Sequence, residues 1–405
     1  MSKEIYFRQP KMWKTFRCLG NECPASCCDR GWDICWYDSE ISAVMNADIP
    51  DEIKAKCREA FEPAKKEGQK KIVYDSEGRC PFHDKESGLC MIQKNMGLEG
   101  LGLTCRIFPR IYIFNGGMIT RTLVPSCSAV VRTLVEDEHA LETEVIQSRN
   151  KNAVKDLNGF DITRECMPNA PVTYPKLFDV ISGFYGKLFT SGLPFDTTMI
   201  HGTLAAANIA AAFNKGKASA IPSMLTELLK QADSEKTKAY SESVTPDLQS
   251  ALRISGAVID DVMSRSSFRL PMKEFLGEDF SDTSKYVQSL EKLKSALENY
   301  DSAMKNIALS LLNYTLATTL TLENKTVGLK DFFGIYTHSA VLTLASRTYM
   351  ACTVYSGETS LNGIASAEAT LNTHFLNLGM RMPVISEQIK KLGIDSLEKF
   401  VRMIK

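Results

Sequence analysis

A chain of 405 residues with 44% apolar and 24% charged residues exceeds what one core usually serves, so two domains, or one large helical body with an appended module, are expected. Its 48 basic residues balance 48 acidic ones, which removes the global attraction that nucleic acid or an anionic membrane surface requires. No run of about 20 apolar residues exists to span a bilayer, and the opening MSKEIYFRQPKMWKTF lacks the apolar core of a signal peptide. The expected location is the cytoplasm, with neither nucleic acid nor membrane as partner.

In chain order, residues 1–134 are cysteine-rich, turn-rich and irregular, and residues 135–405 follow helical periodicity. Within the first region, CPFHDKESGLC offers a turn at Lys85–Gly88 that folds Cys90 back toward Cys80. Further on, RIYIFNGGMITRTL places Asn115-Gly116 between runs rich in β-branched and aromatic residues, which predicts a β-hairpin because both turn residues must accept positive φ. A two-residue turn there sets Phe114 opposite Gly117 and, carried outward, Cys105 opposite Ser126, so that Cys127 meets Cys105.

Val130, Val131, Leu134, Val135, His139, Leu141 and Val145 recur near helical spacing, with acidic residues on the other face. Further helices are expected over 176–188, 202–213, 224–231, 247–263, 283–321, 329–355 and 367–378, and Pro383 suits the first turn of a terminal helix. Residues 233–247 are polar and contain Ser, Thr and Pro, so a loop is expected to break the helical domain there. The closest approach to a membrane span, 304–322, is interrupted by Lys305, Asn306, Asn313 and Tyr314 and reads as a buried helix. The fold class is mainly α: an irregular cysteine-rich N-terminal region with a short β-hairpin, followed by a helical body.

Ten of the twelve cysteines precede residue 128. A reducing compartment disfavours disulfides, and a chain of this size does not need them. Cys18, Cys23, Cys27, Cys28, Cys80, Cys90, Cys105 and Cys127 form a C-x4-C-x3-C-C, C-x9-C, C and C arrangement. Four thiolates serve zinc or a cubane cluster alike, since both accept soft sulfur ligands. The paired C-x2-C knuckles common in zinc sites are absent, and the surplus of irregularly spaced thiols favours an iron–sulfur cluster, 4Fe-4S in type, with zinc as the alternative. Cys23 and Cys27 begin the C-x3-C-x2-C spacing of radical enzymes that use S-adenosylmethionine, but the third position is Arg30.

Cys35, Cys57, Cys166 and Cys352 read as small buried hydrophobes. His83 lies between two cysteines and is a reserve ligand; His139, His201, His338 and His374 fall in helical patterns without a recognisable acid–base partner. Arg106, Arg110 and Arg121 are candidate anion-binding groups, with Arg110 preferred for its place beside Cys105 and Pro109. Trp13, Trp32 and Trp36 read as packing around a metal site.

CLGNECPASCC followed by Gly31-Trp32, CPF with GLCMIQ, LTCRIFPR and PSC together resemble the flagellin lysine-N-methylase family over residues 18–36 and 80–128. LLNYTLATTL at 311–320 is faintly similar to a helix of that family. The pattern is also similar to small cysteine-cluster proteins with a C-x2-C-x2-CC signature, whose spacings are shorter. The resemblance implies methyl transfer from S-adenosylmethionine to lysine ε-amines of flagellin, with an iron–sulfur cluster held by four or more of the eight cysteines. Its other matching positions are Gly31, Trp32, Pro81, Gln93, Phe108, Pro109 and Arg110. No glycine-rich strand-turn-helix fingerprint of the common methyltransferase fold occurs, so the cofactor site is expected to be unconventional. The residues by themselves leave open a non-catalytic metal-stabilised interaction module, or an iron–sulfur redox or assembly factor.

Overall fold

The computed structural model describes residues 5–24, 26–29, 32, 34–114, 118–148, 159–161, 174–263, 270–321, 331–377 and 382–405. Asn115, Gly116, Arg30, Gly31 and Cys166 lie outside them. The strands are β1 (Ile5–Pro10), β2 (Cys35–Tyr37), β3 (Phe61–Pro63), β4 (Gln69–Ile72), β5 (Arg110–Phe114), β6 (Met118–Leu123), β7 (Thr143–Ser148) and β8 (Gly159–Asp161). The N-terminal helices are short: α1 (Met12–Thr15), α2 (Asp38–Asn46), α3 (Asp51–Glu59), α4 (Met91–Met96), α5 (Leu103–Ile107) and α6 (Ser128–Glu136). Mostly longer ones follow: α7 (Tyr174–Phe189), α8 (Phe195–Asn214), α9 (Ile221–Gln231), α10 (Glu235–Ser243), α11 (Leu248–Met263), α12 (Met272–Leu276), α13 (Ser284–Ala296), α14 (Tyr300–Thr321), α15 (Phe332–Tyr355), α16 (Leu361–Asn377), α17 (Met382–Lys391) and α18 (Leu397–Ile404). The protein is mainly α, as the periodicity predicts.

α15 is the axis of the helical body. Val341, Ala345, Met350 and Cys352 are all fully buried, as are its polar residues Thr343 and Ser346. A helix apolar on every side is one surrounded by others, and α8, α11, α13, α14 and α16 pack around it. Close approach depends on Gly202 of α8: a Cβ there would stand 2.3 Å from Tyr336 Oη. Tyr336 donates to the Met199 carbonyl at 3.2 Å and Tyr185 to that of Gly202 at 2.8 Å.

Three sequence expectations are corrected. The expected loop at 233–247 holds α10, whose start is capped by Ser234 accepting from the Thr237 N–H at 3.3 Å. The helix expected through Val145 ends at Glu136; residues 143–148, rich in β-branched side chains, form β7 against β1, and His139 sits in a turn beside Glu142, 2.6 Å away. The long helix expected over 283–321 breaks after Ala296 into α13 and α14.

The main sheet runs β7-β1-β6-β5-β8, with β1 parallel to β6 and β5 antiparallel to β6. The expected hairpin is present, but its register differs: Phe114 lies opposite Ile119 and Arg110 opposite Leu123. A shift of two residues leaves every side chain on its own face. The pairing stops at Arg110, however, because Cys105 belongs to helix α5 and not to a continued strand. The second sheet, β2-β4-β3, is antiparallel and small.

Two main apolar cores result, beside a minor cluster of Phe7, Tyr112 and Ile119 in the main sheet. The large one joins the helical body to Met12, Phe16, Ile113, Leu123 and α6. The small one is built by Ile34, Trp36, Val44, Ile53, Cys57, Ala60, Ile72, Phe82, Ile92 and Leu101. The cysteines lie where the two meet.

Candidate metal centre

A cavity of about 440 Å³ is lined by Cys18, Cys23, Cys27, Cys28, Cys80, Cys90, Cys105 and Cys127. That volume falls within the ~300–1,000 Å³ of ligand sites. Every cysteine singled out from spacing faces it, and Arg110 lines it too. Cys57 and Cys352 are buried in the two cores, and Cys35 pairs with Lys71 in the small sheet; none of the three lines the cavity.

Local chemistry explains how four stretches of chain converge. Cys80 donates its N–H to the Cys28 carbonyl at 2.7 Å, which ties the first cysteine loop to the second. The turn after Cys80 closes as expected. His83 bridges to Cys90, Asp84 N–H donates to Leu89 O at 2.9 Å, and Gly88 adopts φ +66°, a left-handed conformation that favours glycine. Gly88 also rests on Asn21, so the two loops pack against each other.

Cys105 is presented by α5. Glu40 accepts from the Leu103 N–H at the start of α5 and from the Tyr37 N–H at the start of α2, both at 2.7 Å, and so braces one helix against the other. Gly102 lets Trp36 press against this turn, where a Cβ would lie 2.4 Å from the indole. The Trp36 N–H faces the Cys105 thiol. Cys127 heads α6, and the N–H groups of Val130 and Ala129 point at its sulfur. The N–H groups of Gln93 and Ile92 point likewise at Cys90, and that of Phe82 at Cys80.

These thiols cannot all ionise by themselves. Burial pushes Cys105 and Cys127 up to about 12 and raises Cys90 as well, with neighbouring cysteines adding to each shift. Hydrogen bonds from Cys27 and Cys80 lower Cys28, and the same contacts raise Cys27 and Cys80. A cation removes the conflict, because thiolate rather than thiol is the ligand.

Among the described residues, buried polar groups at the wall without a hydrogen-bond partner include the Trp32 indole N–H and the Tyr74 and Ser128 hydroxyls. Buried polar groups are normally satisfied, and donors facing a sulfur-lined space suit an acceptor-rich occupant. Among the described residues, no three Cys, His, Asp or Glu side chains are closed around a point at metal-ligand distance. The donor set surrounds a space and is of the kind that zinc or a sulfide-bridged cluster accepts.

Arg110 lies over the rings of Phe16 and Trp13, at 5.1 and 5.6 Å. Arg106 lines the cavity and pairs with Glu99 at 3.2 Å, whereas Arg121 stands behind, over Phe7 at 3.7 Å, donating to Gln9 Oε1 at 2.6 Å. His83 is outside the lining and acts on Cys28 by charge. Trp32 packs edge-on against Phe108 at 4.5 Å, and Trp36 stacks on Phe82 in the small core. Sequence reasoning missed Glu40, Tyr74, Arg17 and Phe16. Arg17 is beside Cys18, a signal that was there to be used; Glu40 and Tyr74 carry none.

The helical body also reaches the site. From α16, Asn372 donates to Pro125 O and Thr373 to Ser126 O, both at 3.4 Å, just before Cys127. Asn372 donates to buried Glu368 as well, at 2.8 Å.

No family model matches the chain, and no solved structure matches it at a significant level. Among curated proteins it is similar to the flagellar biosynthetic protein FliU of Salmonella muenchen, 26% identical over 156 residues, which is 38% of this chain and 90% of that protein. The likeness puts the chain beside a flagellar protein.

Proposed function

We propose that this protein binds an iron–sulfur cluster in the cysteine cavity and transfers methyl groups from S-adenosylmethionine to lysine ε-amines of flagellin. The observation that carries the reading is the convergence of all eight thiols and Arg110 on one cavity. The flagellar relative supports the setting. The guanidinium of Arg110, with its forked donors, suits the cofactor's carboxylate. The acceptor lysine has an unperturbed pKa of ~10.4 and must lose a proton before its nitrogen attacks the methyl carbon, with the sulfonium sulfur leaving as a neutral thioether.

A second reading rests on the small core: a metal-stapled module whose helical body binds a partner without catalysis. Co-expression with the host flagellin, followed by intact-mass measurement, separates the two. Methylation gives a ladder of methyl increments that Cys27→Ser abolishes; an unchanged flagellin mass supports the adaptor. Anaerobically purified protein is expected to be brown, with iron and sulfide in equal amounts, and a colourless zinc protein would refute the cluster.

A further inference from the structure

We propose that the eight thiols form two adjoining metal centres, one held by Cys28, Cys80, Cys90 and Cys105 and the other by Cys18, Cys23, Cys27 and Cys127. The proposal rests on the reading that the cavity binds metal and is independent of the methylation chemistry.

A tetrahedral zinc site or a cubane cluster takes four thiolates, so eight on one cavity wall are enough for two. Neighbourhood divides them. Cys28 and Cys80 are joined through their backbones at 2.7 Å and hydrogen-bond through their thiols. Cys90 is folded onto Cys80 by the bridged turn, and Cys105 faces Cys28 and Cys90. Cys127, by contrast, faces Cys23 and Cys18. Cys27 touches both groups, adjoining Cys28 while also facing Cys105 and Cys127; the first group is complete without it.

Packing draws the same line. Cys80, Cys90 and Cys105 pack against the small core, whereas Cys127 packs against the large one. In the second group, Cys18 sulfur accepts from Gly20 N–H at 3.4 Å.

The surroundings then assign different roles. The first centre lies beside Trp36 and Phe82 of the small core and would staple it. The second lies next to Arg17, in sequence beside Cys18, and to Phe16, on whose ring Arg110 sits. Arg106, beside Cys105 of the first centre, is taken up by Glu99 at 3.2 Å, which leaves Arg17 and Arg110 for an anionic ligand, and the exposed Cys18 and Cys27 give that ligand access.

The test is the metal and sulfide content per chain of anaerobically purified and reconstituted protein, measured with its Mössbauer and electron paramagnetic resonance spectra. Two centres per chain are expected. Cys127→Ser and, on the exposed loop, Cys18→Ser should each halve the bound metal while the helical circular dichroism and the spectrum of the remaining centre persist. One centre per chain, or a folded Cys18→Ser protein that keeps or loses all its metal, overturns the division. Protein that takes up no metal at all overturns the metal reading with it, whereas two centres without flagellin methylation leave the division standing.

Discussion

Among the described residues, Glu368 has no charged partner in its buried surroundings; Asn372 donates to one of its carboxylate oxygens and Ser346 lies beside it. Burial pushes it up to about 7, against ~4.3 for an exposed glutamate. Between those values the folded protein holds a proton that the unfolded chain has lost, so this residue's contribution to stability falls as pH rises through the window. The whole effect is roughly 4 kcal/mol. Glu368→Gln keeps the shape and removes the titration. Urea unfolding from pH 4.5 to 7.5 should show the wild type losing stability relative to the variant, and a constant difference would mean that Glu368 is not held protonated. Residues of this kind were invisible in the sequence, where Glu368 is one acid among many. The eight cysteines were legible because their clustering is local: ten of the twelve precede residue 128. Arg110 was legible for its position next to them, but Tyr74 and Glu40 are placed by contacts between distant segments.

Helices were readable wherever burial is one-sided, and their ends were less so. α13 and α14 were read as one because both are periodic, and β7 was read as helix because Val145 happens to fall in phase with α6. The hairpin shows the same limit: its face was right, its register differs by two residues, and its extension to Cys105 was cut off by α5. α6 itself is held at both ends by the helical body, with Asn306 of α14 donating to Leu134 O and Asp137 O at 3.0 Å and α16 gripping the residues before its start. Crossings between helices depend on single residues. Gly202→Ala drives a methyl group into Tyr336, which is buried and fixed by its hydrogen bond to Met199. Overpacking of this kind costs about 1–3 kcal/mol. A matching drop in the urea midpoint of the helical signal is expected, and wild-type stability would show that α8 and α15 can slide apart freely.

At the scale of the molecule, the two cores are unequal. The large one is self-sufficient. The small one rests on ten buried side chains and on helices of nine residues or fewer, a size at which folds commonly need disulfides or a metal. Stripping the metal under reducing conditions should therefore release amide protection across residues 34–105 while α8, α14 and α15 stay protected in hydrogen exchange. Uniform protection after chelation would show that the small core stands unaided. Among the described residues, no helix is long and apolar enough to cross a membrane. The composition made the helical body legible; the unequal cores were not, since the division follows contacts between β1, α6 and the distant helices, not a change in residue content.

The grip of α16 on Pro125 and Ser126 links residues 247 positions apart. During synthesis, Cys28, Cys80, Cys90 and Cys105 emerge and can gather early, within one local stretch. Cys127 is gripped from α16 only once Asn372 and Thr373 have left the ribosome, long after the other seven cysteines. Under the proposed metal reading, the ligands of this side of the cavity are present early but take up their final arrangement late.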